Sequence, residues 1–377
     1  MKKILFFLES LSGGGAEKVL TDIVRNLNKE EYDITVMTIT DKGVYIKDIK
    51  DICTYKSILQ NKDLEKGIIS RLKYKIKYKI IYNFPTNIIY KRFIKEKYDI
   101  EVGFVEGFST KFISKSNNLE SKKITWVHTD FLTNHWTKGI FKNLEDEIET
   151  YKKYDDIIAV SESARSAFIE KMSINKSIKK IYNPLDSKSI LYKSRDKIKI
   201  DDKNCLRLCT VGRLVEQKGY DRLLRVIKRL IDDGFKFEVW IIGEGIQKNI
   251  LEDYILKNDL ENHIKILGFK NNPYKYMVKS DIFVCSSRAE GYSLALAEAM
   301  ILGLPVITTN CSGPNEITDF GKYGLLVSNN EECIYNGIKK MICDNKLRDY
   351  YKQKSMQRRT CFDLNKVIGE IESILNC

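Results

Sequence analysis

Two glutamates, Glu290 and Glu298, are separated by seven residues in SSRAEGYSLALAEAMILGLPVITT, residues 286–309. The apolar run Ile282–Cys285 reads as a buried strand ending near Ser286. A helix is expected from about Ser293, closed by Gly303 and Pro305. The free backbone N–H groups of Tyr292, Ser293, Leu294 and Ala295 would then face an anion at the positive end of the helix dipole. Glu298 falls about one turn inside, with its side chain leaning back toward the helix start. A diphosphate held there would have a carboxylate on each side, suited to hydroxyl groups rather than to phosphates. Helix geometry alone also allows two solvated glutamates on an ordinary helix.

Three other stretches carry residues of chemical interest. In TVGRLVEQKGYDRLL, residues 210–224, Arg213 follows a strand and Gly212, and Lys218 precedes Gly219 and a helix. Two cations at the end of a sheet can neutralise a leaving diphosphate without a metal, Arg as a bidentate fork and Lys as a point charge. In LESLSGGGAEKVLTDIV, residues 8–24, three glycines between a strand and its helix let the backbone pass close to a ligand. Lys18 occupies the third glycine position of a dinucleotide fingerprint begun at Gly13, which argues against a dehydrogenase. In WVHTDF, residues 126–131, His128 ends an apolar strand and should point toward the ligand end of the sheet. His135 and His263 lack such a context.

The Glu290/Glu298 pair, followed by Glu-Ala-Met and Gly-x-Pro-Val, resembles the signature of retaining glycosyltransferases of family four, which have the GT-B fold. Gly-Arg-Leu followed by Lys-Gly at 212–219 resembles a second motif of that family. The resemblance implies two Rossmann-like, doubly wound parallel-sheet domains facing a central cleft. It implies that Glu290 contacts the transferred sugar and Glu298 the ribose, while amides around Tyr292–Leu294 hold the diphosphate and Arg213 and Lys218 stabilise it. Gly14 and Gly15 would face donor and acceptor, and His128 would contact the donor sugar. No cofactor or metal is expected beyond a UDP-sugar donor, which supplies a hexose or N-acetylhexosamine to a hydroxyl of a glycan or lipid-linked acceptor. The reaction would serve surface polysaccharide synthesis. A same-fold epimerase or phosphorylase is the alternative. One departure is the run NCSGPNEI, Asn310–Ile317, where the family has a Gly-Gly-x-Glu-type loop; it should alter the donor-sugar wall.

The elements that must position these residues are short Ile/Val-rich runs spaced by helix-sized gaps, the pattern of parallel sheets covered on both faces. Strands are expected at Lys3–Leu8, Ile34–Ile39, Ile100–Val105, Ile124–His128 and Ile157–Val160. A second set falls at Leu206–Val211, Phe237–Ile242, Ile264–Leu267, Ile282–Cys285, Pro305–Thr308 and Leu325–Val327. The series breaks at the polar, lysine-rich stretch Pro184–Asn204, read as a linker. The expected domains are residues 1–185 for the acceptor and 186–355 for the nucleotide sugar, with a helix in 356–377 packing back on the first.

A length of 377 residues suits two domains. The opening MKKILFFLES has too few apolar residues for a signal peptide, and no run approaches a transmembrane span. A cytoplasmic protein is expected, peripheral on the inner face of the membrane. Nine cysteines without a CxxC pair read as buried, reduced thiols. The net charge of +13 is concentrated in the first half, which points to an anionic partner. No helix-turn-helix, RNP or zinc pattern supports nucleic acid as that partner. Residues 66–97 hold ten basic side chains and one acidic one, Glu96. Read as a helix, Ile69, Leu72, Ile76 and Ile80 form one apolar line with Tyr74, Tyr78 and Ile81 beside it, suited to an anionic membrane surface. A solvated lysine face on an ordinary helix is the plainer reading.

Overall fold

The computed structural model describes residues 1–61, 67–199 and 205–377. Lys66 of the basic stretch and residues 200–204 of the expected linker lie outside them. The described residues form two parallel sheets, each in its own compact unit. Residues Met1–Pro184 and Asn365–Cys377 make the first unit, and Leu185–Leu364 the second.

The first sheet comprises β1 (Lys2–Leu8), β2 (Tyr32–Thr40), β3 (Thr54–Leu59), β4 (Ile100–Gly103), β5 (Lys122–Val127), β6 (Asp156–Ala159) and β7 (Ile178–Lys180), in the order β3-β2-β1-β4-β5-β6-β7. The second comprises β8 (Leu206–Val211), β9 (Phe237–Ile242), β10 (Ile264–Gly268), β11 (Ile282–Cys285), β12 (Val306–Thr309) and β13 (Leu325–Val327), in the order β10-β9-β8-β11-β12-β13. Both are doubly wound α/β sheets. Winding reverses between β1 and β4 and between β8 and β11, so each sheet has a crevice there beyond its strands' carboxyl ends. Ile4–Leu8 of β1 and all of β9 are buried, as the central strands of a sheet covered on both faces must be.

Several expectations need correction. β3 and β7 carry lysines and half-exposed side chains at the sheet edges, without the apolar run that marks the central strands. The stretch after Pro184 is not a bare linker. Asp186 caps a helix at Ser187–Lys193, and Leu185 and Ile190 are buried in the second unit's core. At the other end residues 356–364 stay with the second unit, and only the segment from Asn365 joins the first. Its helix holds on through Glu372, which accepts from the Asn28 N–H at 3.1 Å, and through Ile374, whose carbonyl accepts from Lys122 Nζ at 2.6 Å. Of the nine cysteines only Cys209, Cys285 and Cys311 are buried. Burial pushes the thiols of Cys209 and Cys311 up to about 12, which leaves them protonated and unreactive.

The basic stretch is two helices rather than one, Ile68–Asn83 and Thr86–Phe93. Pro85 has no N–H to continue the first, and it holds Phe84 in an extended conformation (φ −85°, ψ 158°).

Candidate active site

The loops that leave β8 and β11 are neighbours because these strands pair across the switch point. After β8 come Gly212, Arg213, a 3₁₀ turn at Glu216–Lys218, and Gly219, which opens a helix at Tyr220–Asp232. Gly219 has φ +67°, and a Cβ there would lie 2.3 Å from the Ser286 carbonyl oxygen. Only glycine allows the two loops to come this close.

Several bonds then fasten them. Ser286 Oγ donates to the Lys218 carbonyl at 3.0 Å, the Arg288 N–H to the Gln217 carbonyl at 2.7 Å, and Gln217 Nε2 to the Ala289 carbonyl at 2.8 Å. Arg222, buried in the first turn of the Tyr220 helix, donates to the carbonyls of Ser286 (Nε 3.0 Å, Nη2 2.6 Å), Ser287 (2.8 Å) and Asn329 (3.3 Å). Arg288 forks onto both oxygens of Asp221 at 2.7 and 2.8 Å, which holds that carboxyl far below the usual range.

These fastenings bring Lys218 and Glu290 together. Glu290 Oε1 accepts from Lys218 Nζ in a close ion pair and from Ser287 Oγ at 2.7 Å. The Glu290 carbonyl accepts from the Gly313 N–H at 3.0 Å. Gly313 lies in the helix Ser312–Ile317, formed by the departing NCSGPNEI run, and a Cβ on it would meet the Gly291 carbonyl at 2.6 Å and Tyr292 Cα at 2.7 Å. That short helix is therefore packed directly against the loop that leads into the preceding helix, Leu294–Ile301. Thr210, Lys218, Tyr220, Cys285, Glu290 and Ser293 line one small recess.

Ser293 is the N-cap of the helix Leu294–Ile301, but its side chain makes no capping bond, and the first turn contains no acidic residue. Its leading N–H groups can therefore be offered to an anion. Glu298, in the second turn, is buried and accepts from Tyr274 Oη at 3.0 Å. Arg213 is exposed just past the end of β8.

Gly14, Gly15 and His128 belong to the first unit. Gly14 is the N-cap of the helix Gly15–Asn26, and a Cβ on it would lie 2.3 Å from a Glu17 carboxylate oxygen. This helix start thus carries its own anion. The start at Leu294 does not, and it is the better place for a diphosphate. His128 follows β5 directly, with Nε2 2.8 Å from the Phe104 carbonyl and its backbone N–H donating to Glu106 Oε2 at 2.9 Å. Glu106 also accepts from Thr129 Oγ1 at 2.8 Å and Trp136 Nε1 at 3.1 Å. His135 is paired with buried Glu147 at 2.8 Å.

Glu106, Arg222, Tyr274 and Ser287 escaped the sequence reading. Glu106 had a signal: a lone acid between apolar residues just past a strand's carboxyl end. Arg222 is hidden beside the leucines of its helix, and Tyr274 and Ser287 have none.

Burial holds the His128 imidazole below its ordinary value of 6.5, against the pull of the Glu106 carboxylate and the Phe104 carbonyl. A folded-state value below the unfolded one means that the neutral ring's stabilisation is present above pH 6.5. It is lost as the pH falls through the folded value. The thermal midpoint should therefore drop between pH 7 and pH 5, and His128→Gln should make that drop shallower. Equal slopes in the two proteins would contradict this.

Two doubly wound units, with a cation–carboxylate pair beside a helix start in the second, match the fold expected from the sequence. Residues 13–189 match the family model Glycosyltransferase Family 4, and residues 193–358 match Glycosyl transferases group 1. The N-acetylgalactosamine-N,N'-diacetylbacillosaminyl-diphospho-undecaprenol 4-alpha-N-acetylgalactosaminyltransferase of Campylobacter jejuni is 30% identical over 376 residues, 97% of each chain. The uncharacterized glycosyltransferase MJ1059 of Methanocaldococcus jannaschii is 30% identical, over 80% of this chain and 82% of its own. Anabaena HepE, solved with UDP-glucose, superposes with a TM-score of 0.76 over 100% of both chains at 19% identity. The chain belongs to the family-four glycosyltransferases and has the GT-B fold.

Proposed function

We propose that the enzyme transfers a hexose or N-acetylhexosamine from a UDP-sugar to a hydroxyl of a glycan or lipid-linked acceptor, with retention of anomeric configuration, in surface polysaccharide synthesis. The observation that carries this is the uncapped start of the Leu294 helix beside the Lys218–Glu290 pair. The diphosphate rests on the amides around Tyr292–Leu294, and Lys218 and Arg213 neutralise it. Glu290 takes a sugar hydroxyl, and Glu298, steadied by Tyr274, takes the ribose. His128 and the Gly14–Gly15 turn lie beyond the carboxyl ends of the first unit's own strands, where a ligand of that sheet binds. The acceptor oxygen bonds to the anomeric carbon on the face from which the diphosphate leaves, and the departing phosphate oxygen takes the acceptor's proton. No further cofactor is needed, because the two cations supply the charge a metal would otherwise bring. The Campylobacter relative's diphospho-undecaprenol acceptor and the UDP-glucose complex of HepE support this choice of substrates.

A panel of nucleotide sugars, scored by donor hydrolysis and by protection against thermal unfolding in buffer containing EDTA, tests the reading. UDP-sugars should protect and be hydrolysed, with the α-anomer released first from an α-linked donor. Protection by none of the UDP-sugars, or activity only after manganese is added, would remove it.

A further inference from the structure

The helix Ile68–Asn83 has two apolar faces, and only one is anchored to its unit, although Tyr78 on that face is itself 42% exposed. At about 100° per residue, Ile69, Leu72, Ile76 and Ile80 fall within about 80° of arc. Tyr74, Tyr78, Ile81 and Tyr82 lie on the opposite side rather than beside this line. The tyrosine side holds the helix to its unit. Ile81 is buried, Tyr82 packs on Phe108 with ring centroids 4.6 Å apart, and Tyr82 Oη donates to Glu9 Oε2 at 2.5 Å. The aliphatic side is open to solvent: Ile69 is 72% exposed, Leu72 58%, Ile76 50% and Ile80 44%. Lys73 and Lys77 run along one flank of that stripe, Lys75 and Lys79 along the other, and the helix contains no acidic residue.

We infer that this stripe docks in the headgroup region of an anionic bilayer. Four aliphatic side chains between two rows of ammonium groups match a surface that is apolar below and negatively charged above, with the lysine stems reaching up to the phosphates. A nucleic acid would pair with the lysines and leave the stripe in water. A second copy of the chain would bring lysine rows together with no carboxylate on either helix to offset them. The helix lies along the surface rather than across it: among the described residues no helix is long and apolar enough to cross a membrane. Because Glu9 directly follows β1, the docked helix sits beside the carboxyl end of the first sheet, where ligands of such sheets bind. A lipid-linked acceptor, on the function proposed above, would arrive at that end. The docking itself does not depend on that reading.

Flotation of the full chain with vesicles of phosphatidylcholine, alone or mixed with phosphatidylglycerol, tests it. The protein should float with the mixed vesicles at low salt, several-fold less at high salt, and little with phosphatidylcholine alone. The double substitution Leu72→Glu/Ile76→Glu should lower flotation by about tenfold or more, with an unchanged melting temperature, since both side chains are exposed. Protection by UDP should be the same in both proteins, which separates this result from a failure of the donor reading. Equal flotation of the double variant would overturn the inference. So would a wild-type dimer that the variant turns into a monomer, or nucleic-acid binding in place of vesicle binding.

Discussion

Replacing Lys218 with methionine is expected to lower turnover by about 100-fold or more, since one lost donor to a developing anion typically costs about 2.7–4 kcal/mol of transition-state stabilisation. Methionine keeps the apolar stem and removes the ammonium group alone. Two things are lost together: the charge proposed to face the leaving diphosphate, and the partner of Glu290, whose side chain is only 6% exposed. Ser287 Oγ still donates to Glu290, so the carboxylate is not stripped of every bond. The folded state should therefore lose about 3 kcal/mol, the low end of the cost of removing one partner of a buried ion pair. Steady-state kinetics and a thermal melt separate the two effects. A variant with wild-type kcat would take Lys218 out of the mechanism, whatever its stability.

Arg222→Met should act chiefly on stability, since the guanidinium bonds only to backbone carbonyls. The guanidinium is buried and serves the carbonyls of Ser286 and Ser287, both in residues that are themselves buried. Methionine can fill much of the space but donates nothing, so the Ser286 carbonyl loses both bonds from the guanidinium, at about 1–3 kcal/mol, while the Ser287 carbonyl keeps Thr309 Oγ1 at 2.6 Å. A unit of this size shifts by about 2–4 °C per kcal/mol, so a drop in melting temperature of roughly 2–12 °C is expected. UDP protection should weaken as well, because the loop that Arg222 fastens leads to Glu290 and the Leu294 helix. Arg222→Lys, which keeps one or two donors, should fall between the two. A melting temperature within about 1 °C of wild type would mean that the carbonyls find other partners, and that the clamp described here is not the cause of the loop's position.

The central strands could be read from their residues because burial on both faces demands continuous apolar runs, as in Ile4–Leu8 and Phe237–Ile242. Thr54–Leu59 and Ile178–Lys180 could not, because an edge strand needs neither. Pro85 is a plain break signal, yet the even spacing of lysines and isoleucines across residues 66–97 concealed it. The same helix shows how far an apolar line can be trusted. Ile69, Leu72, Ile76 and Ile80 do share a face, but only tertiary contacts reveal that the tyrosines on the other side are the ones the protein uses. At the candidate site, Lys218 and Glu290 were each legible from the loop that carries them. Their pairing was not, because it depends on β8 and β11 being neighbours across 72 residues of chain. Ser287 and Arg222 are still further from view, since each acts by holding another residue's backbone or carboxylate.

The proposed reaction requires a pyrophosphate bound at the start of the Leu294 helix, with Lys218 and Arg213 on one side and Glu298 taking the ribose. A crystal structure of the protein grown with UDP tests this most directly. The account predicts a phosphate oxygen within hydrogen-bonding distance of the Leu294 amide and the ribose hydroxyls on the Glu298 carboxylate. UDP bound instead at the Gly14–Gly15 turn, or anywhere away from Lys218 and Glu298, would contradict it.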